Sequence, residues 1–119
     1  MTRLRLGVAL ALAALGVSCS TGAESFPDTG AVGAALRDAG VACSALEVQD
    51  ASGVARERAI CDSDDASLTL FVFEDAGDRD RWASVAAQLG DVALGPNWAV
   101  VGPRDAVARV VEGLGGEAR

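Results

Sequence analysis

Histidine, lysine and tyrosine occur nowhere in this chain. The commonest general base and the imine-forming amine are therefore missing, and any acid–base or nucleophilic chemistry falls to carboxylates, serines and threonines. Cysteine is sparse as well: three residues, with no CxxC spacing for redox exchange and no histidine to complete a zinc site. No G-x-S-x-G, glycine-rich phosphate loop or metal-ligand cluster stands in the sequence. Basic charge is short too, with ten arginines against seventeen acids. At 119 residues the chain is too short for two ordinary domains.

What is present begins with the leader. Met1 to Arg5 carries two arginines and no acid, Leu6 to Val17 is uncharged and apolar, and Ser18 and Cys19 follow. A basic start, a short apolar run and a small-residue exit are the layout of a secretory signal peptide. Twelve residues as a helix span about 18 Å, against a hydrocarbon core of about 30 Å, so export is favoured over a permanent transmembrane anchor. The run has no polar face, which argues against a buried core helix.

The exit, "LGVSC", resembles the lipobox of bacterial lipoproteins. In that family the cysteine thiol is diacylated and the chain is cut just before it, so the resemblance implies lipidation of Cys19. Val17 and Ser18 match the family pattern; Gly16 departs from it, since Leu, Val or Ile is usual there. Gly16-Val17-Ser18 also fits the small-x-small rule of ordinary signal peptidase. Ordinary cleavage would leave Cys19 as an unpaired exposed thiol in an oxidising compartment, which favours acylation. Two acyl chains, at about 0.8 kcal/mol per buried methylene, make a stable anchor.

The expected division is a signal peptide over 1–18, a lipidated cysteine and flexible tether over 19–30, and a domain over 31–116. The tether, "STGAESFPDTG", is rich in small and polar residues without helical or alternating period; the exception is Phe26, expected either to pack back on the domain or to mark its edge. Without the leader, eight arginines face seventeen acids, a formal charge of −9. That charge disfavours nucleic acid and anionic lipid surfaces alike, so the acyl chains must do the holding at the membrane.

Cys43 and Cys61 are then the pair left over, and in an exported domain they read as one disulfide. Between them two strand-like pieces flank the turn-rich Asp50-Ala51-Ser52-Gly53. A hairpin centred on Ser52 opposes the cysteines but also Glu47 and Glu57. A one-residue slip pairs Glu47 with Arg58 and leaves the cysteines diagonal, and a bulge would reconcile the two.

Elsewhere the pattern is plainer. "TGAVGAALRDAGV" predicts a helix with Val32, Ala35, Leu36 and Ala39 on one face, Asp28 or Thr29 as cap and Gly40 as stop. "SLTLFVFE", residues 67–74, is apolar on both faces and predicts a central strand. "DAGDRDRWASVAAQLG" predicts a helix capped by Asp75, burying Trp82, Val85, Ala86 and Leu89 and ended by Gly90. "DVALGPNWAVVG" predicts a hairpin turning at Gly95-Pro96-Asn97. "PRDAVARVVEGLGG" predicts a helix with Pro103 at its first position, Val107, Val110, Val111 and Leu114 on one stripe, and Gly115 as stop. The order α-β-β-β-α-β-β-α implies an α+β two-layer sandwich: a mainly antiparallel sheet of four to five strands, covered on one face by three helices.

Candidate sites are few. Asp62-Ser63-Asp64-Asp65 begins like a calcium loop, but Ala66 and Phe73 occupy positions that need oxygen ligands, so it reads as a solvated turn and no metal is expected. Glu74 and Asp75, where a strand meets a helix, are candidates for a carboxylate hydrolase, though each has an ordinary role as strand-end charge or helix cap. Trp82 reads as core. Trp98, with Asn97 beside it, is the candidate for stacking on a sugar or small ligand.

Cys19, the Cys43…Cys61 pair, "LFVFEDAGDRDRW" and "GPNWAVVG" together resemble a type of small actinobacterial lipoprotein without an assigned function. The resemblance implies location and a disulfide, not a mechanism. The leading expectation is a non-catalytic, lipid-tethered extracytoplasmic module, without cofactor, that binds an envelope protein or glycan. A glycan-binding lipoprotein using Trp98 and Asn97 is the alternative, and a carboxylate hydrolase the remote one.

Overall fold

A computed structural model describes residues 23–119 apart from positions 52, 65 and 87. The expected leader and cleavage site, with Cys19, lie outside the described residues, as does Ser52, the expected hairpin centre. The elements are α1 (Thr29–Asp38), β1 (Ser44–Gln49), β2 (Ala55–Ser63), β3 (Ala66–Phe73), α2 (Ala76–Ala86), β4 (Asp91–Leu94), β5 (Trp98–Gly102), α3 (Arg104–Leu114) and β6 (Glu117–Ala118). The fold is α+β in the expected order, with one strand added at the end.

The six strands form one antiparallel sheet in the order β1-β2-β3-β5-β4-β6. β3 lies inside it because every residue from Leu70 to Phe73 is apolar and both faces of the strand are covered. Leu68, Leu70 and Val72 pack with Val32 and Leu36 of α1 and Val107 and Val110 of α3. Phe71 and Phe73 point the other way, onto Trp82, Ala83 and Ala86 of α2. The helices were expected on one face. The alternation of β3 instead leaves two large aromatic rings on the second face, and α2 folds over them, with Trp82 4.7 Å from Phe71 and 5.4 Å from Phe73 between ring centroids.

That placement also corrects the buried stripe of α2. Val85 and Leu89 are 61% and 66% exposed, whereas Ala83 and Ala86 are buried. Small alanines let the helix approach a floor already filled by phenylalanines, and the helix ends at Ala86, before Leu89. In α1 the buried line is Thr29, Val32, Gly33 and Leu36, with Ala39 exposed. Gly33 permits this: a Cβ there would stand 2.9 Å from Leu46 Cδ1 and 3.6 Å from Cys43 Sγ. Asp28 caps α1, its Oδ1 accepting from the Ala31 N–H at 2.8 Å.

The β1–β2 register is neither of the two expected. Glu47 faces Ile60, Val48 faces Ala59 and Gln49 faces Arg58, while Ser44 faces Asp62 across a register shift. Ala45, at φ +53°, marks the irregularity. The longer connection relieves the Glu47–Glu57 opposition and frees Glu57 for another partner. Pro103 stands at the N-cap of α3 rather than inside its first turn, a one-residue difference. β6 extends the sheet beyond residue 116: Ala118 pairs with Ala93 and Glu117 with Leu94, and the Arg119 and Val92 backbones exchange hydrogen bonds of 2.7 and 2.9 Å. Among the described residues, no helix is long and apolar enough to cross a membrane.

Candidate functional site

The β4–β5 turn gathers the two residues singled out for ligand binding. Gly95 N–H donates to the Trp98 carbonyl at 2.9 Å and closes the turn. Arg79 of α2 donates from Nη1 to the Gly95 and Pro96 carbonyls, at 2.9 and 3.3 Å, and so pins it from the opposite layer. The indole of Trp98 packs against Gly95, where an added Cβ would fall 2.0 to 2.4 Å from three ring atoms. Glycine is thus required by the close approach alone. Asn97 is anchored by its own carbonyl, which accepts from the Phe73 N–H at 2.8 Å.

Trp98 is fully buried, and its indole nitrogen donates to the Glu24 carbonyl at 2.8 Å. The Asn97 amide takes both backbone groups of Phe26: Oδ1 accepts from the Phe26 N–H at 2.9 Å, and Nδ2 donates to the Phe26 carbonyl at 2.7 Å. The Phe26 ring rests on Trp98, centroids 6.1 Å apart. Residues from Ala23 onward, read from sequence as tether, are therefore docked on the domain. With this arm in place Trp98 has no open face, and both polar atoms of the Asn97 side chain are taken.

The stitching continues along the arm. Arg56 donates to the Pro27 carbonyl. Glu57 Oε1 accepts from both the N–H and the hydroxyl of buried Thr29, at 2.7 and 2.5 Å. A carboxylate at the first residue of α1 also meets the positive end of the helix dipole. Phe26 packs back on the domain, one of its two expected places, whereas the polar contacts of the arm with Arg56, Glu57, Asn97 and Trp98 were not anticipated. The only cues were Phe26, apolar in a polar stretch, and a lone asparagine following proline.

Two shallow hollows flank the arm. One, of about 430 Å³, is lined by Ala23, Arg79, Gly95, Pro96, Glu117 and Arg119. The other, of about 600 Å³, lies between α1 and α3 over Phe26, Ala35, Ala39 and Leu114. The carboxylates of Glu24 and Asp38 also line the second.

The remaining candidates separate. Glu74 is exposed and pairs with Arg56 Nε at 3.4 Å. Asp75 caps α2, its Oδ1 accepting from the Asp78 N–H at 2.9 Å. Asp64 sits in the β2–β3 turn at φ +54°, its carboxylate 3.8 Å from Arg109, and Asp62 is exposed on β2. No group of three or more histidine, cysteine, aspartate or glutamate residues among the described residues is arranged to hold a metal ion.

Cys43 and Cys61 are joined in a disulfide, with 5.1 Å between their Cα atoms. Both are buried beneath α1, and the bridge ties the edge strand β1 to β2. Comparison with protein-family models, with curated proteins and with solved structures found no match.

Proposed function

We infer that this chain is a non-catalytic, lipid-anchored extracytoplasmic protein that binds another component of the cell envelope, protein or glycan. The Cys43–Cys61 disulfide carries the reading. It suits an oxidising compartment, and it leaves Cys19, at the end of a signal-like leader, as the chain's remaining cysteine. Diacylation at that position gives the free thiol a purpose, and a formal charge of −9 on the mature chain gives the lipid one, since the protein surface is repelled by anionic headgroups.

The non-catalytic part of the reading is supported by the occupations of the available groups. Glu74 is in an ion pair, Asp75 in a cap, and Asn97 and Trp98 hold the arm. An anchored module whose candidate groups are so occupied contributes by holding a partner at the membrane. The intact mass of protein extracted from membranes tests the anchor: a chain beginning at Cys19 with its mass raised by acyl chains is expected. An unmodified chain beginning at Cys19 would overturn it. Crosslinking of the anchored protein in intact cells is expected to capture a discrete envelope component; uniform capture of abundant neighbours would count against a specific partner.

A further inference from the structure

We propose that the Asn97–Trp98 corner is a binding site for an extended peptide segment, and that its occupant is the chain's own Ala23–Phe26, clamped to hold the domain close to its anchor. The contacts have the form of backbone recognition. The Asn97 amide reads one residue's N–H and carbonyl together, and the Trp98 indole reads a carbonyl two residues earlier. That spacing is the two-residue repeat of an extended strand, in which alternate residues present the same way. Two side chains of the segment pack on the domain, Ala23 and Phe26, the Phe26 ring lying on Trp98.

Other elements are shaped for the same segment. At the end of α3 a Cβ on Gly115 would stand 3.3 to 3.4 Å from Ala23, so the bare backbone admits the arm. Arg56 and Glu57 of β2 hold Pro27 and Thr29. Holding points thus recur at residues 24, 26, 27 and 29, supplied by two separate strands. A passive linker needs none of them.

The consequence is a distance. With the arm docked, four residue steps separate Cys19 from Ala23, a reach of at most about 14 Å in extended chain. With the arm released, ten steps separate Cys19 from Thr29, a reach of about 35 Å. The clamp therefore keeps the end of the domain that carries Ala23, Pro96 and Gly115 within about 14 Å of the anchored cysteine. This distance rests on lipidation of Cys19; the clamp does not.

The test uses the mature protein as extracted from membranes, in detergent and then in vesicles of phosphatidylcholine containing a dansyl-headgroup lipid. Two variants act from opposite sides: Asn97→Ala removes the clamp, and Phe26→Pro removes the N–H that Asn97 holds and the ring on Trp98 while leaving every residue of the β4–β5 turn unchanged. Amide exchange at Phe26 is expected to be protected in the parent chain and at least about tenfold faster in Asn97→Ala, the worth of one net hydrogen bond. Energy transfer from tryptophan to the dansyl headgroups is expected to fall in both variants. Unprotected exchange at Phe26 in the parent overturns the clamp. Protection that appears only on dimerisation overturns it too, since the occupant would then be a second copy's arm. Unchanged energy transfer in the variants overturns the fixed distance. A parent chain that does not bind vesicles removes the anchor and the distance together, while exchange at Phe26 still decides the clamp.

Discussion

Gly95 and Trp98 make one unit. The indole occupies the volume that any side chain at position 95 would need, and it is held there by the Glu24 carbonyl and by burial. Gly95→Ala therefore forces a locked ring out of place, and a destabilisation of about 2–4 kcal/mol is expected, seen as a fall of at least about 8 °C in the thermal midpoint. A change of less than about 0.5 kcal/mol would mean that the indole moves freely. The pattern of apolar residues could not reveal this pairing. Trp98 opens a strand and reads equally well as an exposed stacking surface or as a lid, and the deciding carbonyl lies 74 residues away. Glu57 was opaque for a similar reason. Its partner is a backbone N–H on a helix that precedes it by 28 residues, and no local period encodes that.

Elements were legible where their ends carry chemistry. Asp28, Asp75 and Gly40 mark their helices in sequence because a capping oxygen and a left-handed stop are local requirements. Faces were less legible than ends. For α2 the large residues Val85 and Leu89 suggested one stripe, but the floor beneath the helix is aromatic and admits only alanines beside Trp82. Val85→Ser is accordingly expected to change stability by no more than about 0.5 kcal/mol in denaturant titration, and Trp82→Ala to cost about 3 kcal/mol. Equal effects would restore the helical-wheel reading. β6 had no signal, being two residues after a pair of glycines. Its pairing nevertheless covers the outer edge of β4, so a chain ending at Gly115 is expected to expose that edge and to form higher-order species in size-exclusion chromatography. A deletion that stays monomeric would show the edge to be protected by something else.

At the scale of the molecule, the disulfide ties β1, the outermost strand, to the sheet. The paired replacement Cys43→Ser with Cys61→Ser is expected to cost about 3 kcal/mol, measured by chemical denaturation, by releasing that loop in the unfolded chain. The anchor proposed at Cys19 predicts that Cys19→Ser moves the protein from the membrane fraction to the soluble extracytoplasmic fraction without altering its thermal midpoint. The disulfide was legible because the cysteine count is a compositional fact, whereas the path of residues 23–29 over the domain depends on contacts with β2 and the β4–β5 turn. Three thiols in one nascent chain admit three ways of pairing two of them, and two of those ways are mistakes. An acyl transferase that reaches position 19 before any oxidase does would remove both mistakes at once. Oxidative maturation would then have a single route, with no isomerase needed to correct it.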